Sequence, residues 1–479
     1  MTTCTIEDCS ILVRELPPDR MSFSIGAAGV RRRPRAVWVV RLALRGPHGK
    51  RTWGAAADRP SFGWLDKRSS YGPEEKLARL QQLVLAARDI CLAQAHFTDP
   101  YEFTEQCGHL IHARGQALQH EPLSSSFAAA LFERAIIDAV CRLQNVSLHT
   151  ALRQHQLGFE PSRLHPELAG INTARLFPAQ PRTQFHIRHT VGLSDPLVAA
   201  DLNSDNRSND GEPVTLEDYI RRDGLRFFKV KISGNPDADL NRLTRLWNLL
   251  ALIPDPVITL DGNESYTDLA AFSDFVQLFA ARLQGLFQHT AFIEQPLPRT
   301  LTFNPDTAAV VKQIARQKPL LIDEADQEPH SFRQALQLGY AGVSHKNCKG
   351  LFKSLANYCL IKHLQNTKQQ PVFQSGEDLS NMPLVALHQD FAALGCTDIT
   401  HCERNGHHYT CGLSHLSTTE KQQTRQHHPD LYTERADELF LNIRNGQINC
   451  KSLQTPGLGL AFAPDWNAMT PISDWEATW

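Results

Sequence analysis

Short apolar segments alternate with helix-length amphipathic ones from about residue 185 onward, and this alternation limits the fold more than any other feature. Eight segments have the length and composition of strands: FHIRHTVGL, RFFKVKIS, PVITLDGN, AFIEQPL, PLLIDEAD, AGVSHKN, PVFQSGED and ITHCERN. Segments such as TDLAAFSDFVQLFAARL lie between them and have helical periodicity. Strands that alternate with helices form parallel sheets, and eight such units favour closure into a (β/α)₈ barrel. A doubly wound open sheet is the alternative.

Charged residues fall at the carboxyl ends of five successive predicted strands. They are Lys229 and Lys231 on the second strand, Asp261 on the third, Glu294 on the fourth, Asp323 on the fifth and Lys346 on the sixth. The carboxyl ends of barrel strands meet at one mouth, which is where barrel enzymes have their active sites. Three carboxylates there form an oxygen-rich site that suits Mg²⁺ better than the softer Zn²⁺. A single strand-end carboxylate is more often a helix cap, but the whole set favours a functional site.

The two lysines of the second strand are spaced so that they act together. Lys229 and Lys231 are two residues apart, and their side chains therefore point to the same face of the strand. In a parallel strand that is covered on both faces, two lysines on one face need anionic partners. The pattern therefore predicts that these lysines contact the neighbouring carboxylates.

These motifs resemble the enolase superfamily, and specifically its muconate-lactonizing-enzyme subgroup (the mandelate racemase/muconate lactonizing enzyme family). The likeness rests on the KxK of the second strand, the three carboxylates and the sixth-strand SHKNCKG. The helix FAAALFERAIIDAVCRLQNVSLHTAL is similar to the family's linker between capping domain and barrel. The likeness covers roughly 125–410 clearly and 1–124 by general layout. It implies an α/β fold in which an enolase-like modified TIM barrel carries an α+β capping domain.

The resemblance also implies roles for the strand-end residues. Asp261, Glu294 and Asp323 would hold Mg²⁺, for which Mn²⁺ is an expected substitute. Lys231 and Lys346 would face each other across the substrate as bases, and Lys229 would act through its charge.

The implied reaction is abstraction of the proton α to a substrate carboxylate through an enediolate, and a racemase or epimerase is expected first. The alternatives are a cycloisomerase or syn-dehydratase, of the muconate cycloisomerase or o-succinylbenzoate synthase type. A noncatalytic binding protein on the same fold is a hypothesis of a different class. The eighth strand ends in HCERNGHH and lacks the DxD of dipeptide epimerases, so dipeptides are not favoured.

Four further polar residues follow strand ends. Asn263 and Glu324 would orient the carboxylates or pair with Lys346, and ordinary turn chemistry is an equal alternative. Glu377 and Asp378 follow the seventh strand, where Glu377 is a candidate for binding substrate or supporting the ligands. A simple surface loop is the favoured interpretation of this pair.

A cluster of histidine and cysteine follows the eighth strand. It consists of His401, Cys402, His407, His408 and Cys411. A structural zinc site is one hypothesis, but the spacing is irregular for zinc. A buried or substrate-facing histidine pair is favoured.

The earlier part of the chain has a different pattern. AVWVVRLALR, at 36–45, predicts a strand, and helices are predicted at about 74–94 and 126–144, the second capped by the serines at 124–126. A long polar loop is expected at 197–218. The predicted domains are a capping domain at 1–170 with a lid at about 17–35, a barrel at 171–410, and a C-terminal segment at 411–479 that packs back on the capping domain.

Composition limits the partners. Lys and Arg number 49 against 51 for Asp and Glu, so no net field favours nucleic acid or an anionic membrane. Charged residues interrupt the first 30 positions, and no apolar run is long enough to span a bilayer. The 11 cysteines show no CxxC repeat, which favours reduced thiols. We expect a cytoplasmic homo-oligomer that acts on a small carboxylate.

Overall fold

The computed structural model describes residues 3–21, 33–202 and 210–479. Most of the predicted lid at 17–35 lies outside the described residues, as does the middle of the predicted polar loop at 197–218. Within the described ranges, no helix combines the length and the apolar character that crossing a membrane requires. All of the cysteines are free thiols.

An antiparallel sheet and five helices make up the first part of the chain. The strands are β1 (Cys4–Glu15), β2 (Ala36–Arg45), β3 (Arg51–Asp58) and β4 (His96–Phe97). The helices are α1 (Phe62–Leu65), α2 (Pro73–Ala93), α3 (Pro100–Ala117), α4 (Pro122–Gln144) and α5 (Leu148–Arg153). β2 lies between β1 and β3. The predicted strand at 36–45 and the two predicted helices are therefore present, whereas β1, β3 and α3 were not predicted.

Helix α4 is buried along almost its whole length. Phe127 and Leu131 are fully buried, because α4 packs on β2 and β3 and also on the helices beside it. The helix begins at Pro122, whose fixed φ and missing N–H suit a first helical position. The predicted cap by the serines at 124–126 is wrong, since these residues lie inside the helix and are buried there.

Eight parallel strands form a closed barrel. They are β5 (Gln184–Val191), β6 (Phe227–Lys231), β7 (Val257–Asp261), β8 (Thr290–Glu294), β9 (Leu320–Ile322), β10 (Gly342–His345), β11 (Phe373–Gly376) and β12 (His401–Arg404). β12 pairs with β5 in parallel, which closes the sheet. Each of the eight predicted segments coincides with one of these strands, and β5 and β8 begin one residue before the predicted segment. The predicted barrel is confirmed, and the open sheet is wrong.

Helices follow the barrel strands and cover their outer side. They are α6 (Leu216–Asp223), α7 (Pro236–Leu250), α8 (Leu269–Arg282), α9 (Gln284–His289), α10 (Arg299–Thr302), α11 (Ala308–Ala315), α12 (Ser331–Leu338), α13 (Leu351–Lys368), α14 (Val385–Leu394), α15 (Gly406–Tyr409) and α16 (Thr418–His427). Outward strand residues such as Phe228 and Ile258 pack with helical residues such as Leu243 and Phe272 in one apolar core. Because these apolar side chains point outward, the polar side chains at the strand ends point into the barrel.

The last part of the chain contacts both the barrel and the first sheet. It contains β13 (Tyr432–Arg435), β14 (Glu438–Leu441), β15 (Gln447–Asn449) and β16 (Thr470–Pro471). β15 pairs with β5 of the barrel, and β16 pairs with β1 of the first sheet. The ring of Trp475 packs edge-on against Trp38, with 6.2 Å between the centroids. The domain boundaries at 170 and 410 stay predictions.

Candidate active site

The charged strand-end residues meet at one end of the barrel. Asp261 is the register partner of Lys231 on β6 and of Glu294 on β8, and Glu294 pairs with Leu321, two residues before Asp323. All six predicted residues are at least 95% buried, including Lys346 after β10. The structure thus brings every predicted lysine and carboxylate to the carboxyl-end mouth of the barrel.

Two lysine–carboxylate pairs lie on different sides of this mouth. Lys231 Nζ donates to Asp261 Oδ2 at 2.6 Å, and Lys346 Nζ donates to Asp323 Oδ2 at 2.6 Å. β6 and β10 are four places apart in the eight-stranded ring, so the two lysines come from opposite walls. Each predicted base is therefore hydrogen-bonded to a predicted metal ligand.

Lys229 lies among four carboxylates. Its Nζ is 3.0 Å from Asp261 Oδ2, 2.7 Å from Glu294 Oε2, 2.5 Å from Glu377 Oε2 and 3.0 Å from Glu403 Oε2. Burial alone would lower the pKa of this lysine, but the carboxylates outweigh burial and hold it well above its usual value. Lys229 is therefore a fixed ammonium at the centre of the site.

The three predicted ligands differ in their electrostatics. Burial and the charges of Asp261 and Glu377 raise the pKa of Glu294 well above its usual range. Burial acts the same way on Asp323, but Lys346 and Lys349 outweigh it and hold its pKa well below that range. Glu294 is thus the point of the mouth where negative charge is least compensated.

Glu377 and Asp378 are buried, so the favoured surface-loop interpretation is wrong for both. Glu377 accepts hydrogen bonds from Lys229, from Arg188 and from Ser375 Oγ, the last at 2.6 Å. Burial raises the pKa of Asp378 to about 6. Its oxygens accept from the backbone N–H groups of two loop residues. Glu377 supports the site, and Asp378 fixes the loop around it.

Asn263 and Glu324 form a bridge to the first part of the chain. Asn263 Nδ2 donates to Glu324 Oε1 at 3.0 Å, and Trp64 Nε1 of α1 donates to the same oxygen at 3.1 Å. The backbone N–H of Asn263 donates to Asp261 Oδ1 at 2.9 Å. Lys346 bonds Asp323 rather than Glu324, and its Nζ lies 4.5 Å from the centroid of the Trp64 ring. The predicted orienting role therefore has a geometric basis, and the predicted pairing of Glu324 with Lys346 is not found.

Sequence reasoning missed Glu403 and Arg188. Glu403 accepts from Thr190 Oγ1 at 2.8 Å and from Lys229 Nζ at 3.0 Å, and Arg188 donates to Glu377. The sequence contains a signal for Glu403. This residue lies near the carboxyl end of the eighth strand, and the predicted lysines and carboxylates lie at the carboxyl ends of their own strands. It was overlooked because HCERN was interpreted as a histidine and cysteine pattern.

The donor set at the mouth fits a hard divalent cation. The donors are carboxylate oxygens at the ends of three adjacent strands, and the excess negative charge around Glu294 is what such a cation offsets. In this structure each of the three carboxylates is hydrogen-bonded to a lysine instead. Among the described residues, one set of three possible metal ligands has its ligand atoms within 4.8 Å of one another. It consists of His189, His407 and His408.

The fold separates the residues of the disfavoured zinc hypothesis at 401–411. His401 Nδ1 lies 2.9 Å from Arg188 Nη1, and Cys402 is buried in an apolar core. His407 and His408 lie on α15 with their rings next to each other. The favoured histidine pair is therefore present, and it lies apart from His401 and Cys402.

Known structures with a similar fold belong to the superfamily that the motifs resemble. No family model matches the sequence, and no curated protein matches it. A muconate lactonizing enzyme from Pseudomonas fluorescens, complexed with muconolactone, has a similar structure at 14% identity. The alignment covers 97% of this chain and 98% of that chain with a TM-score of 0.60. The resemblance named from the motifs is thus confirmed at the level of the fold.

Two further structures show the same likeness. A dipeptide epimerase from Enterococcus faecalis, complexed with Mg and a dipeptide, is 12% identical. Its alignment covers 96% of this chain and 99% of that chain, with a TM-score of 0.58. An enolase from Bradyrhizobium, complexed with magnesium and mandelic acid, is 16% identical over 98% of both chains, with a TM-score of 0.58.

Proposed function

We propose that this chain is an enolase-superfamily enzyme that uses Mg²⁺ and two lysines to remove and return the proton α to a substrate carboxylate. The observation that carries the proposal is the placement of Lys231 and Lys346. They come from opposite walls of one closed barrel, and each is bonded to a strand-end carboxylate. Racemisation or epimerisation is the reaction that uses both lysines symmetrically, so we place it first.

The chemistry explains why the site needs so much charge. A proton α to a carboxylate is weakly acidic, and its removal places additional negative charge on the carboxylate. Bound at Asp261, Glu294 and Asp323, Mg²⁺ would supply positive charge beside that group, and Mn²⁺ is expected to serve as well. Lys231 and Lys346 would move the proton on the two faces of the substrate. Lys229, fixed among its carboxylates, orients the site by charge.

The same groups would serve a cycloisomerase or a syn-dehydratase, in which one lysine suffices for the proton and the substrate carries the leaving group. Dipeptides remain disfavoured because Glu403, the strand-end carboxylate of β12, is already bonded to Lys229. A noncatalytic role would not require two buried lysines on opposite walls. The cytoplasm and the homo-oligomer stay predictions.

Deuterium exchange tests the proposal. In D₂O with excess Mg²⁺, a set of racemic small carboxylic acids is screened with the wild-type chain for exchange of the α proton. For an acid that exchanges, Lys346→Ala should abolish exchange from one stereoisomer and leave the other, and Lys231→Ala should do the reverse. Interconversion of the isomers should stop in both variants.

Lys362→Ala is the control, because Lys362 pairs with Asp398 away from the mouth and its loss should change neither exchange nor interconversion. If Lys231→Ala or Lys346→Ala exchanged both isomers at the wild-type rate, the two-base mechanism would be wrong. A single lysine that supports all exchange would favour the cycloisomerase or dehydratase.

A further inference from the structure

Three histidines meet on the barrel wall outside the carboxylate site. His189 lies on β5, and His407 and His408 lie on α15, the short helix that follows β12. The ring centroids are 4.3 Å apart for His189 and His408, 4.9 Å for His407 and His408, and 5.5 Å for His189 and His407. One ring nitrogen from each residue lies within 4.8 Å of the other two.

The alternation of β5 separates this cluster from the barrel interior. Arg188 and Thr190 contact Glu377 and Glu403, so their side chains point inward. His189, between them, points to the opposite face of the strand. There its ring packs on Tyr219 of α6, with 4.9 Å between the centroids. The histidines therefore form a site of their own, on the other side of the β5 backbone from Lys229.

The nitrogens of the cluster are available as ligands. Among the described residues, neither ring nitrogen of His407 or His408 has a hydrogen-bond partner, and Nδ1 of His189 has none either. Buried polar atoms are normally hydrogen-bonded, so five such nitrogens in one place need an explanation. Burial also lowers the pKa of His189 to about 3 and those of the other two well below their usual value. Neutral imidazole is the form that binds metals.

The charged side chains that act on the cluster are arginines, and each of them is paired with a carboxylate. Arg222 is the nearby cation that acts on both His189 and His407, and it is paired with Glu212 and with Asp223. Arg20, which also faces His408, is bidentate to Asp210. Arg33, Arg404 and Arg435 also act on His407 or His408, and they are paired with Asp19, Asp390 and Glu212. These ion pairs reduce the positive charge that a divalent ion would meet at the cluster without removing it.

His407 gives the cluster a route to solvent. It is half-buried, whereas the other two are almost fully buried. It lines a small, partly open pocket of about 30 Å³, together with residues of the β13–β14 region such as Arg435 and Phe440. Both ring nitrogens of His407 are closed to solvent, so its ring must turn for an ion to reach the cluster from this side. Water from the pocket would then complete the coordination.

We propose that His189, His407 and His408 bind one transition-metal ion, with Zn²⁺ as the preferred metal, in a site separate from the Mg²⁺ carboxylates. Three imidazoles suit Zn²⁺, whereas Mg²⁺ selects oxygen. In a tetrahedral zinc site the ring centres of two histidines lie about 5 Å apart, given a Zn–N distance near 2.0 Å. The observed centroid distances of 4.3–5.5 Å bracket this spacing. The rings of His189 and His408 are stacked at 26°, so they must turn about their side-chain bonds before their nitrogens converge on one ion. The cysteines considered for zinc in the sequence have no part in it.

The ion would fix α15 to the first barrel strand. Carbonyl oxygens of α15 also hold Arg20, since His408 O accepts from Arg20 Nη1 at 3.1 Å and Tyr409 O accepts from the Arg20 N–H at 2.9 Å. Binding at the three histidines would therefore stabilise the segment before residue 21 as well as α15.

Zinc titration of the full chain tests the proposal. The purified protein is stripped with a chelator, returned to excess Mg²⁺ and titrated with ZnCl₂ by calorimetry. We expect one zinc site per chain, weakened at least about 100-fold in His407→Ala and in His189→Gln, because each change removes a direct ligand. Co²⁺ in place of Zn²⁺ should give the visible absorption of a nitrogen-ligated ion in the wild type, and that absorption should be lost in both variants.

Two control variants make the result specific. His427→Ala changes a partly buried histidine outside the cluster, and Glu294→Gln changes the carboxylate site, so both should keep the zinc affinity. Circular dichroism and metal-free melting check that each variant is folded, and half-buried His407 is the safer position for that reason. Zinc affinity equal to wild type in folded His407→Ala, or the absence of a zinc site in the wild type, would overturn the proposal. Loss of zinc in Glu294→Gln alone would do so too.

Discussion

Replacing Asp261 or Glu294 by its isosteric amide should have different effects on the metal-free protein, although both residues are predicted ligands. Asp261→Asn removes the partner that lies 2.6 Å from Lys231 Nζ and one of the four around Lys229. Burial raises the pKa of Asp261, but Lys229 and Lys231 outweigh burial and hold it below its usual value. The carboxylate therefore stabilises two buried ammonium groups, and its loss leaves Lys231 without its charged partner.

The magnitudes follow from burial. Breaking a buried ion pair by removing one partner costs about 3–5 kcal/mol, and we expect that loss for Asp261→Asn. Glu294→Gln removes a carboxyl group whose ionisation is disfavoured by burial and by Asp261 and Glu377, and Lys229 keeps three other carboxylates. Its stability should therefore stay within about 1 kcal/mol of the wild type. For a chain of 479 residues the entropy of unfolding is about 1 kcal/mol/K, so Asp261→Asn should melt about 3–5 °C lower.

Melting curves in EDTA and in Mg²⁺ measure these differences, and calorimetry gives the Mg²⁺ affinity. Both variants should bind Mg²⁺ more weakly than the wild type, because each loses an anionic oxygen ligand. Glu75→Gln, on the exposed face of α2, is the matched control and should change neither quantity. Equal melting shifts for Asp261→Asn and Glu294→Gln in EDTA would refute the electrostatic reasoning. Unchanged Mg²⁺ affinity in both would refute the triad.

Two further predictions concern stability. Glu377→Gln should lower the free energy of unfolding by about 3–5 kcal/mol, because Arg188 and Lys229 both lose a buried anionic partner. Urea unfolding measures this change, and a loss below about 1 kcal/mol would contradict the prediction. Burial lowers the pKa of His165 to about 4 and of His345 to about 3, so the unfolded chain binds more protons below about pH 6.5. Stability should therefore fall by up to about 3 kcal/mol per pH unit from pH 6.5 down towards pH 4, and equal urea midpoints at pH 7 and pH 5 would contradict this.

The features that were predictable from the sequence have a local physical signal. The eight barrel strands were found because each is a short apolar run between helical patterns. The shared face of Lys229 and Lys231 follows from the period of two in a strand, and both side chains do reach Asp261. α3 lacked such a signal, because glycines and histidines dilute its apolar pattern. Its start depends on Asp99, which accepts from the Glu102 N–H.

Contacts across the closed barrel could not be predicted in this way. Glu403 reaches Thr190 because β12 pairs with β5, and the chain separation of these residues gives no hint of it. Trp64 reaches Glu324 because α1 of the first sheet region packs over the mouth. The burial of Glu377 likewise depends on Arg188 of the first barrel strand. This ion pair compensates the charge of Glu377 inside the protein, although Glu377 lies in a loop.

The pairing of β16 with β1 bears on how the polypeptide matures during translation. β1 is the first described strand to leave the ribosome, and Leu12 and Val13 on its edge pair with Pro471 and Thr470. β4 covers the Cys4–Thr5 end of the same edge, but the part at Leu12 and Val13 has no partner strand while the barrel is being synthesised. Only when residues 470–479 emerge can Trp475 cover Trp38 and the backbone of β1 be completed. A ribosome stalled after the barrel would display an unfinished sheet edge, which is the kind of surface that chaperones and stray strands bind.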